Sequence, residues 1–331
     1  MTEGWSALAS VVRTPSGELR RELLGAPDGD AAEPLTTAHL FDLASLTKAF
    51  TAVAVHAVIE EGRLGLDQPI AEILDAAAVR GGVTAQHLLT HTAGLRPSSP
   101  IWRSGATGDA ALADVLDTAP LAPPGTVHDY SCLGFIVLGA VLEQLCGQPL
   151  DEVVLARVAL PLGATTLRWG PVAPEPAVAT EHQPHRGRLR GGIHDELAAS
   201  IGRPVGNAGA FGTVDDVVAL AAAIAERRLP LGDRAFTLLT SSDASATAAG
   251  SLGRQAHGLR VGDPKFMTAR HTVGHTGFTG TSFVADVATG GYAVQLTNRV
   301  HAGRDGTSVD ERRRALAARI SAPTAGPIDG A

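Results

Sequence analysis

The sequence predicts a mixed α/β (α+β) fold, in which an antiparallel sheet flanked by helices is joined to a mostly helical lobe. Strand patterning occupies both ends of the chain and helix patterning its middle, so one sheet is expected from both termini, with a helical segment inserted between them. The chain has 331 residues, more than a single small core usually needs, which favours two joined lobes. Its 44% hydrophobic and 18% charged residues are those of a globular protein, not a disordered one. The expected division assigns 1–62 and 206–320 to the sheet domain and 63–205 to the helical lobe. Residues 321–331 read as a Pro/Gly/Ala tail and are expected to be loose.

The elements follow in order. Residues 6–13 and 18–24 flank Thr14-Pro15-Ser16-Gly17 and read as a β-hairpin with a Pro/Gly turn. Residues 46–61 are strongly apolar, with Ser45 at the expected N-cap and Gly62 past the end. From 63 to 205 short helices and loops dominate, among them an apolar helix over 133–146 closed by Gly147. Thr213-Val214-Asp215-Asp216 opens a capped, acid-first helix over 213–228. Strand patterning returns over 272–298, with a turn at Thr289-Gly290-Gly291, and 308–320 reads as a closing helix.

A net charge of −7 leaves no basic excess to neutralise phosphates, so no nucleic-acid partner is expected. The local cluster Arg186, Arg188 and Arg190 reads as a solvated loop. No apolar run reaches membrane-spanning length, and the N-terminal residues lack a basic segment followed by an apolar one. The two cysteines, Cys132 and Cys146, sit at opposite ends of a predicted helix, about 20 Å apart and beyond disulfide reach. Free thiols without a leader point to the cytoplasm, with no membrane partner.

Three segments could carry chemistry. The first is Ser45-Leu46-Thr47-Lys48. Residues three apart share a helix face, so Lys48 would stand beside the Ser45 hydroxyl at a helix start, where the dipole suits an oxyanion. Burial against an apolar helix would weaken the charged form of the lysine and let it take the serine proton. The bland alternative is a capping serine followed by a solvent-facing lysine. Against it, only two of the 27 basic residues are lysines, Lys48 and Lys265, and the rest are arginines. A lysine kept inside an apolar helix suggests a titratable amine, which arginine cannot supply. The second segment is Tyr130-Ser131-Cys132, between Pro123-Pro124-Gly125 and the apolar helix; its alternative is an aromatic plug. The third is Gly274-His275-Thr276-Gly277-Phe278-Thr279-Gly280, whose glycines allow a close approach to a strand; its alternative is a bulged strand with a structural histidine.

Taken in order, these segments resemble the penicillin-recognising serine enzymes, whose signature is Ser-x-x-Lys, then Tyr-x-Asn, then Lys-Thr-Gly or His-Thr-Gly. The resemblance is closest to the class C β-lactamases and the related serine esterases and D-aminopeptidases. Phe41-Asp42-Leu43-Ala44-Ser45-Leu46-Thr47-Lys48, Leu88-Leu89-Thr90-His91-Thr92-Ala93-Gly94-Leu95 and Gly206-Asn207-Ala208-Gly209-Ala210-Phe211-Gly212-Thr213 extend it over residues 5–320. It implies a β-lactamase/transpeptidase-like fold with the site between sheet and helical lobe. It implies Ser45 as nucleophile, Lys48 and Tyr130 as its proton-handling partners, and the backbone N–H groups of Ser45 and Phe278 as the oxyanion hole. Cys132, His275, Thr276 and Gly277 would contact the substrate. His91 is expected to bond within its own turn and support the site. His194 would lie on a cleft-side loop, and the loops 96–107 and 181–196 would shape the pocket. No metal or organic cofactor is implied, and the twelve histidines show no His-x-x-x-His pair with an acidic partner.

Two positions depart from the pattern. Cys132 replaces the asparagine that, in the family, bonds a substrate amide and helps place the lysine; a thiol is a poor partner for either. His275 replaces a lysine, so a carboxylate anchor is weaker. The expected activity is that of an intracellular carboxylesterase-like hydrolase, acting through an acyl-enzyme on a small ester, amide or lactam. The alternatives are a transacylase passing the acyl group to an alcohol or amine acceptor, a β-lactamase or D-amino-acid peptidase, and a non-catalytic binding module.

Overall fold

The computed structural model describes residues 4–29, 33–250, 254–305 and 308–321. Most of the expected tail, from residue 322 on, lies outside the described residues. The strands are β1 (Ala7–Arg13), β2 (Leu19–Gly25), β3 (Phe41–Asp42), β4 (Arg168–Trp169), β5 (Ala179–Gln183) and β6 (Gly187–Arg190). They continue with β7 (Ala210–Gly212), β8 (Arg254–Gln255), β9 (Arg260–Val261), β10 (Val273–Thr276), β11 (Ser282–Ala285) and β12 (Tyr292–Thr297).

Seven strands form one antiparallel sheet in the order β2-β1-β12-β11-β10-β9-β8. The N-terminal hairpin therefore sits beside the last strand, with Val11 opposite Val294 and Val12 opposite Ala293. The turn between β1 and β2 closes through Gly17, at φ 87°, whose N–H donates to the Thr14 carbonyl at 2.9 Å.

Each face of this sheet is covered. Val214–Ala225 packs on β1, β11 and β12. Its start is a capping box: the Thr213 hydroxyl accepts from the Asp216 N–H at 3.3 Å, and the Asp216 carboxylate accepts from the Thr213 N–H at 2.8 Å. On the other face Val12, Val284 and Ala293 meet Phe266, Met267, Ala317 and Ile320, so the Asp310–Ala317 helix closes the fold as its sequence suggests.

The helices Thr47–Glu60 and Cys132–Cys146 pack against each other beneath the other half of the molecule. Both are apolar on nearly every face and buried accordingly. Gly62, at φ 71°, and Gly147, at φ 67°, follow them in the left-handed conformation that ends a helix. The middle of the chain is less uniformly helical than its composition suggests. It contributes β4, which joins β3 and β7 in a small sheet, and the β5–β6 hairpin. These strands are two to five residues long, too short to show an alternation. Arg186, Arg188 and Arg190 are engaged rather than free. They meet Gln183 and the carboxylates Asp28 and Glu33.

Gly274 is where β10 and β11 come closest. A Cβ there would lie 2.1 Å from the Phe283 carbonyl oxygen. Gly274→Ala should therefore splay the two strands and destabilise the protein by about 2 kcal/mol or more, lowering Tm by roughly 4 °C or more. Thermal denaturation of the two proteins measures this, and an unchanged Tm would show that the strands accommodate a methyl group.

Candidate active site

The site grows from one tight turn. Asp42 to Leu46 carries the chain from β3 into the Thr47–Glu60 helix, and Ala44 takes a left-handed φ of 47° there. Fixed side chains hold this unusual conformation. The buried Asp42 carboxylate accepts the Ala44 N–H at 2.8 Å and the His194 N–H at 2.7 Å. The Thr279 hydroxyl donates to the Asp42 carbonyl at 2.9 Å, and the Thr281 hydroxyl to the Leu43 carbonyl at 3.0 Å. Burial pushes the Asp42 carboxyl up from its ordinary value, against the opposing pull of His194.

Ser45 is not the N-cap that the sequence suggests. It lies inside a single 3₁₀ turn, Ala44–Leu46, and Leu46 precedes the α-helix without a side-chain cap. The Thr47 hydroxyl donates to the Ala44 carbonyl at 2.7 Å, and the Ser45 hydroxyl is left to face Lys48.

Lys48 is fully buried, at 0% exposure. Its ammonium donates to three acceptors: Ser45 Oγ at 3.0 Å, the Asn207 carbonyl at 2.9 Å and Cys132 Sγ at 3.4 Å. The expected slide towards the neutral amine does not occur. Burial pushes Lys48 down, but Cys132 and Tyr130, with Asp195 further off, outweigh it and hold the ammonium above its ordinary value. Cys132 thus does what its type seemed unable to do: its sulfur helps to place the lysine.

Tyr130 stands one residue before the Ser131 cap of the Cys132–Cys146 helix. The Ser131 hydroxyl accepts the Gly134 N–H at 3.2 Å and donates to the Arg96 carbonyl at 2.7 Å. His91, at φ 58°, bonds within its own turn through its N–H, which donates to the Leu88 carbonyl at 3.3 Å, but its ring and carbonyl reach across to this segment. Its Nδ1 accepts the Ser131 N–H at 3.1 Å, its carbonyl accepts the Asp129 N–H at 2.9 Å, and its ring lies 4.5 Å from the Tyr130 ring. The Tyr130 ring is flanked by two cations, with Lys48 Nζ 5.1 Å and the Arg260 guanidinium 5.2 Å from its centroid.

The Gly-rich strand segment completes the corner. A Cβ on Gly277 would meet Thr281 Oγ1 at 2.0 Å and the Leu43 carbonyl at 2.6 Å, so only glycine lets this strand end lie on the serine turn. Among the described residues neither the Ser45 nor the Phe278 N–H makes a turn or loop hydrogen bond to a backbone carbonyl. His275 bonds through Nδ1 to the Thr276 carbonyl at 2.9 Å and is buried. Burial, then the positive charges of Lys48 and Arg260, push His275 well below its ordinary value, and the same causes in the same order hold His91 neutral.

Ser45, Tyr130, His275, Thr276, Gly277 and Phe278 line one cavity of about 440 Å³. Its remaining wall comes from residues 260–266, Arg299 and 308–313. The loops 96–107 and 181–196 do not line it; they meet each other, with Trp102 stacked 5.0 Å from His185. His194 is buried, bonded through Nε2 to Glu181 at 2.8 Å, with its ring 5.5 Å from Phe278. It braces the serine turn. Asp42, Thr279, Thr281, Arg260 and the Asn207 carbonyl are absent from the sequence-based set. Asp42 and Asn207 do lie in the quoted similar stretches, whereas Arg260 sits on a two-residue strand that no pattern marks. Among the described residues no group of three or more His, Cys, Asp and Glu is arranged to hold a metal ion, and no single helix is long and apolar enough to cross a membrane.

Imidazoles buried neutral set the acid stability. Burial, then the neighbouring His257, pushes His56 down to about 3, and His91 and His275 also lie well below 6.5. Between the folded and unfolded values the unfolded chain binds more protons. Stability is therefore complete above about pH 6.5 and falls as the pH drops, by up to about 1.4 kcal/mol per pH unit for each such histidine. Urea denaturation at pH 7 and pH 5 should show a loss of several kcal/mol at pH 5, and equal stabilities would contradict the neutral assignment.

Comparison with known proteins gives the family and the fold. A family model described as Beta-lactamase matches residues 4–318. Esterase EstB of Burkholderia gladioli is 33% identical, over 95% of this chain and 91% of its own length. The structure of EstCE1, a hydrolase with promiscuous acyltransferase activity, superposes with a TM-score of 0.74 at 23% identity, covering 95% of this chain and 94% of that one. The octameric penicillin-binding protein homologue from Pyrococcus abyssi gives a TM-score of 0.71 at 19% identity, covering 89% and 70%. The fold is thus shared with both, and the chain belongs to the Beta-lactamase family.

Proposed function

We propose that this chain is a serine hydrolase of the carboxylesterase type, which forms an acyl-enzyme on Ser45. The observation that carries the reading is the 3.0 Å contact between Lys48 Nζ and Ser45 Oγ, at the wall of a cavity shared with Tyr130. Because the ammonium donates to Oγ, the serine proton is directed away from Lys48 and towards another acceptor, and Tyr130 is the titratable neighbour. In the reaction Ser45 Oγ bonds to the carbonyl carbon as its proton passes to the Tyr130 oxygen, acting as phenolate, while Lys48 stays an ammonium. The N–H groups of Ser45 and Phe278 receive the oxyanion. Collapse expels the leaving oxygen or nitrogen, which takes that proton. Water then repeats the sequence on the acyl-serine and releases the acid. Identity to an esterase supports an ester substrate.

Incubation with a fluorophosphonate should add one organophosphoryl group at Ser45. Ser45→Ala should abolish the adduct, lower kcat/KM on 4-nitrophenyl acetate by about 10³-fold or more, and leave the circular dichroism spectrum unchanged. A variant within tenfold of the parent would remove Ser45 from the reaction.

Cys132→Asn tests the departure from the family tripeptide. Asparagine offers a donor and an acceptor to a substrate amide, and one such bond is worth about threefold to tenfold in binding. The kcat/KM on an amide-bearing lactam, relative to 4-nitrophenyl acetate, should rise by that factor. If both rates move together, residue 132 acts only through Lys48, which its sulfur touches at 3.4 Å.

A further inference from the structure

We propose that the protein has a second small-molecule site, apart from the serine cavity, in which His56 Nε2 accepts a hydrogen bond from a compact uncharged ligand. That ligand has an apolar body and one hydroxyl donor, and a phenol is its simplest form. The site is a cavity of about 480 Å³ between the last turn of the Thr47–Glu60 helix, the loop 64–68 and the Asp233–Thr240 helix. It shares no lining residue with the serine cavity. Along the helix His56 is about 16 Å from Ser45.

The walls are apolar, formed by Ile59, Leu64, Leu66, Ala235 and Leu238. Two polar groups at the rim are already used. The Glu60 carboxylate accepts the Gly232 N–H at 2.8 Å, while the Gln68 side chain accepts the Gly65 N–H at 3.0 Å and donates to Glu72 at 3.1 Å. Asp67 and Arg234 are exposed to water. His56 differs from all of these. It is only 1% exposed, it lines the cavity, and its Nε2 has no hydrogen-bond partner among the described residues. A buried polar atom left without a partner is costly, and folded proteins keep few of them. A cavity of this size, with apolar walls and one placed polar atom, has the make-up of a ligand pocket and is far too large for a single bound water.

The state of the ring sets the chemistry of the ligand. Burial, then the neighbouring His257, pushes His56 down to about 3, so the ring is neutral. Its other nitrogen, Nδ1, bonds the His257 main chain, and that contact favours the protonated ring, as donation to a carbonyl does. Nδ1 therefore carries the hydrogen and Nε2 presents a bare lone pair, which only a donor satisfies. An ammonium donor would have to leave water for an apolar floor, so the donor is an uncharged one. The ring is also held in place. It stacks on His257 with 5.8 Å between centroids. His257 is itself fixed, its N–H donating to the Leu238 carbonyl at 3.0 Å and its Nε2 to Asp243 at 2.9 Å. A Cβ on the next residue, Gly258, would lie 2.2 Å from the Ala52 Cβ, so this loop is pressed onto the helix that carries His56.

Two probes of nearly the same shape separate the donor from the apolar body: 4-fluorophenol and 4-fluorotoluene. Fluorine NMR titrations give the Kd of each for the full chain and for two variants, whose folding is checked by circular dichroism. The parent should bind both. His56→Leu removes the acceptor and keeps an apolar wall, so it should weaken 4-fluorophenol by about threefold to tenfold and leave 4-fluorotoluene within about twofold. Leu66→Trp fills the cavity from its rim and should abolish binding of both. In the parent, the nitrogen-15 resonance of His56 Nε2 should move on addition of 4-fluorophenol and stay in place with 4-fluorotoluene, which decides the matter where a variant fails to fold. A parent that binds neither probe, a His56→Leu protein that holds 4-fluorophenol as tightly as the parent or loses both probes equally, binding that survives Leu66→Trp, or an unmoved Nε2 resonance would each overturn the site.

Discussion

A buried ammonium left short of acceptors would cost several kcal/mol, and this constraint organises the site. Lys48 has three N–H groups and three acceptors, each delivered by a different part of the chain. Ser45 Oγ comes from the turn after β3, Cys132 Sγ from the first turn of a helix in the middle of the chain, and the Asn207 carbonyl from the loop before β7. Each is held by its own device. The left-handed Ala44 turn is clamped by Asp42, Thr279 and Thr281. Cys132 is fixed by the Ser131 cap and by its own N–H, which donates to the Pro97 carbonyl at 2.8 Å. Gly206 is wedged so tightly that a Cβ would lie 2.2 Å from the Phe135 carbonyl, and its own carbonyl is held by the Thr51 hydroxyl at 3.0 Å. The serine–lysine contact is thus a consequence of how three segments pack, more than of the short motif that contains both residues.

Holding one cation in this corner decides the state of its neighbours. His91 and His275 are buried beside Lys48 and Arg260, and both remain neutral. The two cations flank the Tyr130 ring, while the imidazoles supply hydrogen bonds without charge. The positive charge of this corner is therefore carried by Lys48 and Arg260 and does not vary with imidazole protonation near neutral pH.

Much of this was legible in the sequence where a local rule applies. The hairpin turn at Gly17, the capping box at Thr213 and Asp216, and the helix ends at Gly62 and Gly147 all follow from residue type and spacing. So does the face shared by Ser45 and Lys48. What depends on contacts between distant segments was not legible. The state of Lys48 could not be read from an apolar helix, because the groups that raise it lie more than eighty residues away. The partner of the His91 ring was not legible because Ser131 is forty residues on. The pocket loops were misplaced for a related reason. Composition marks a segment as irregular, but says nothing of whether its side chains reach the serine.

That last failure separates two kinds of position in this molecule. The corner is built from wedged glycines and buried polar groups: Gly277 on the Leu43 carbonyl, Gly206 on Phe135, Asp42 beneath Ala44. Substitution there meets backbone atoms that cannot move aside, so the corner tolerates little change. The wall formed by 260–266, Arg299 and 308–313 is different. Several of its side chains, Lys265 and Ser308 among them, are exposed, so their identity can change with less disturbance to the core. A chain that is 33% identical to an esterase over nearly its whole length can keep such a corner and rebuild such a wall. Family membership therefore speaks to the class of reaction and to the corner that carries Ser45 and Lys48. The wall that carries Lys265 and Arg299 lies outside the sequence motifs.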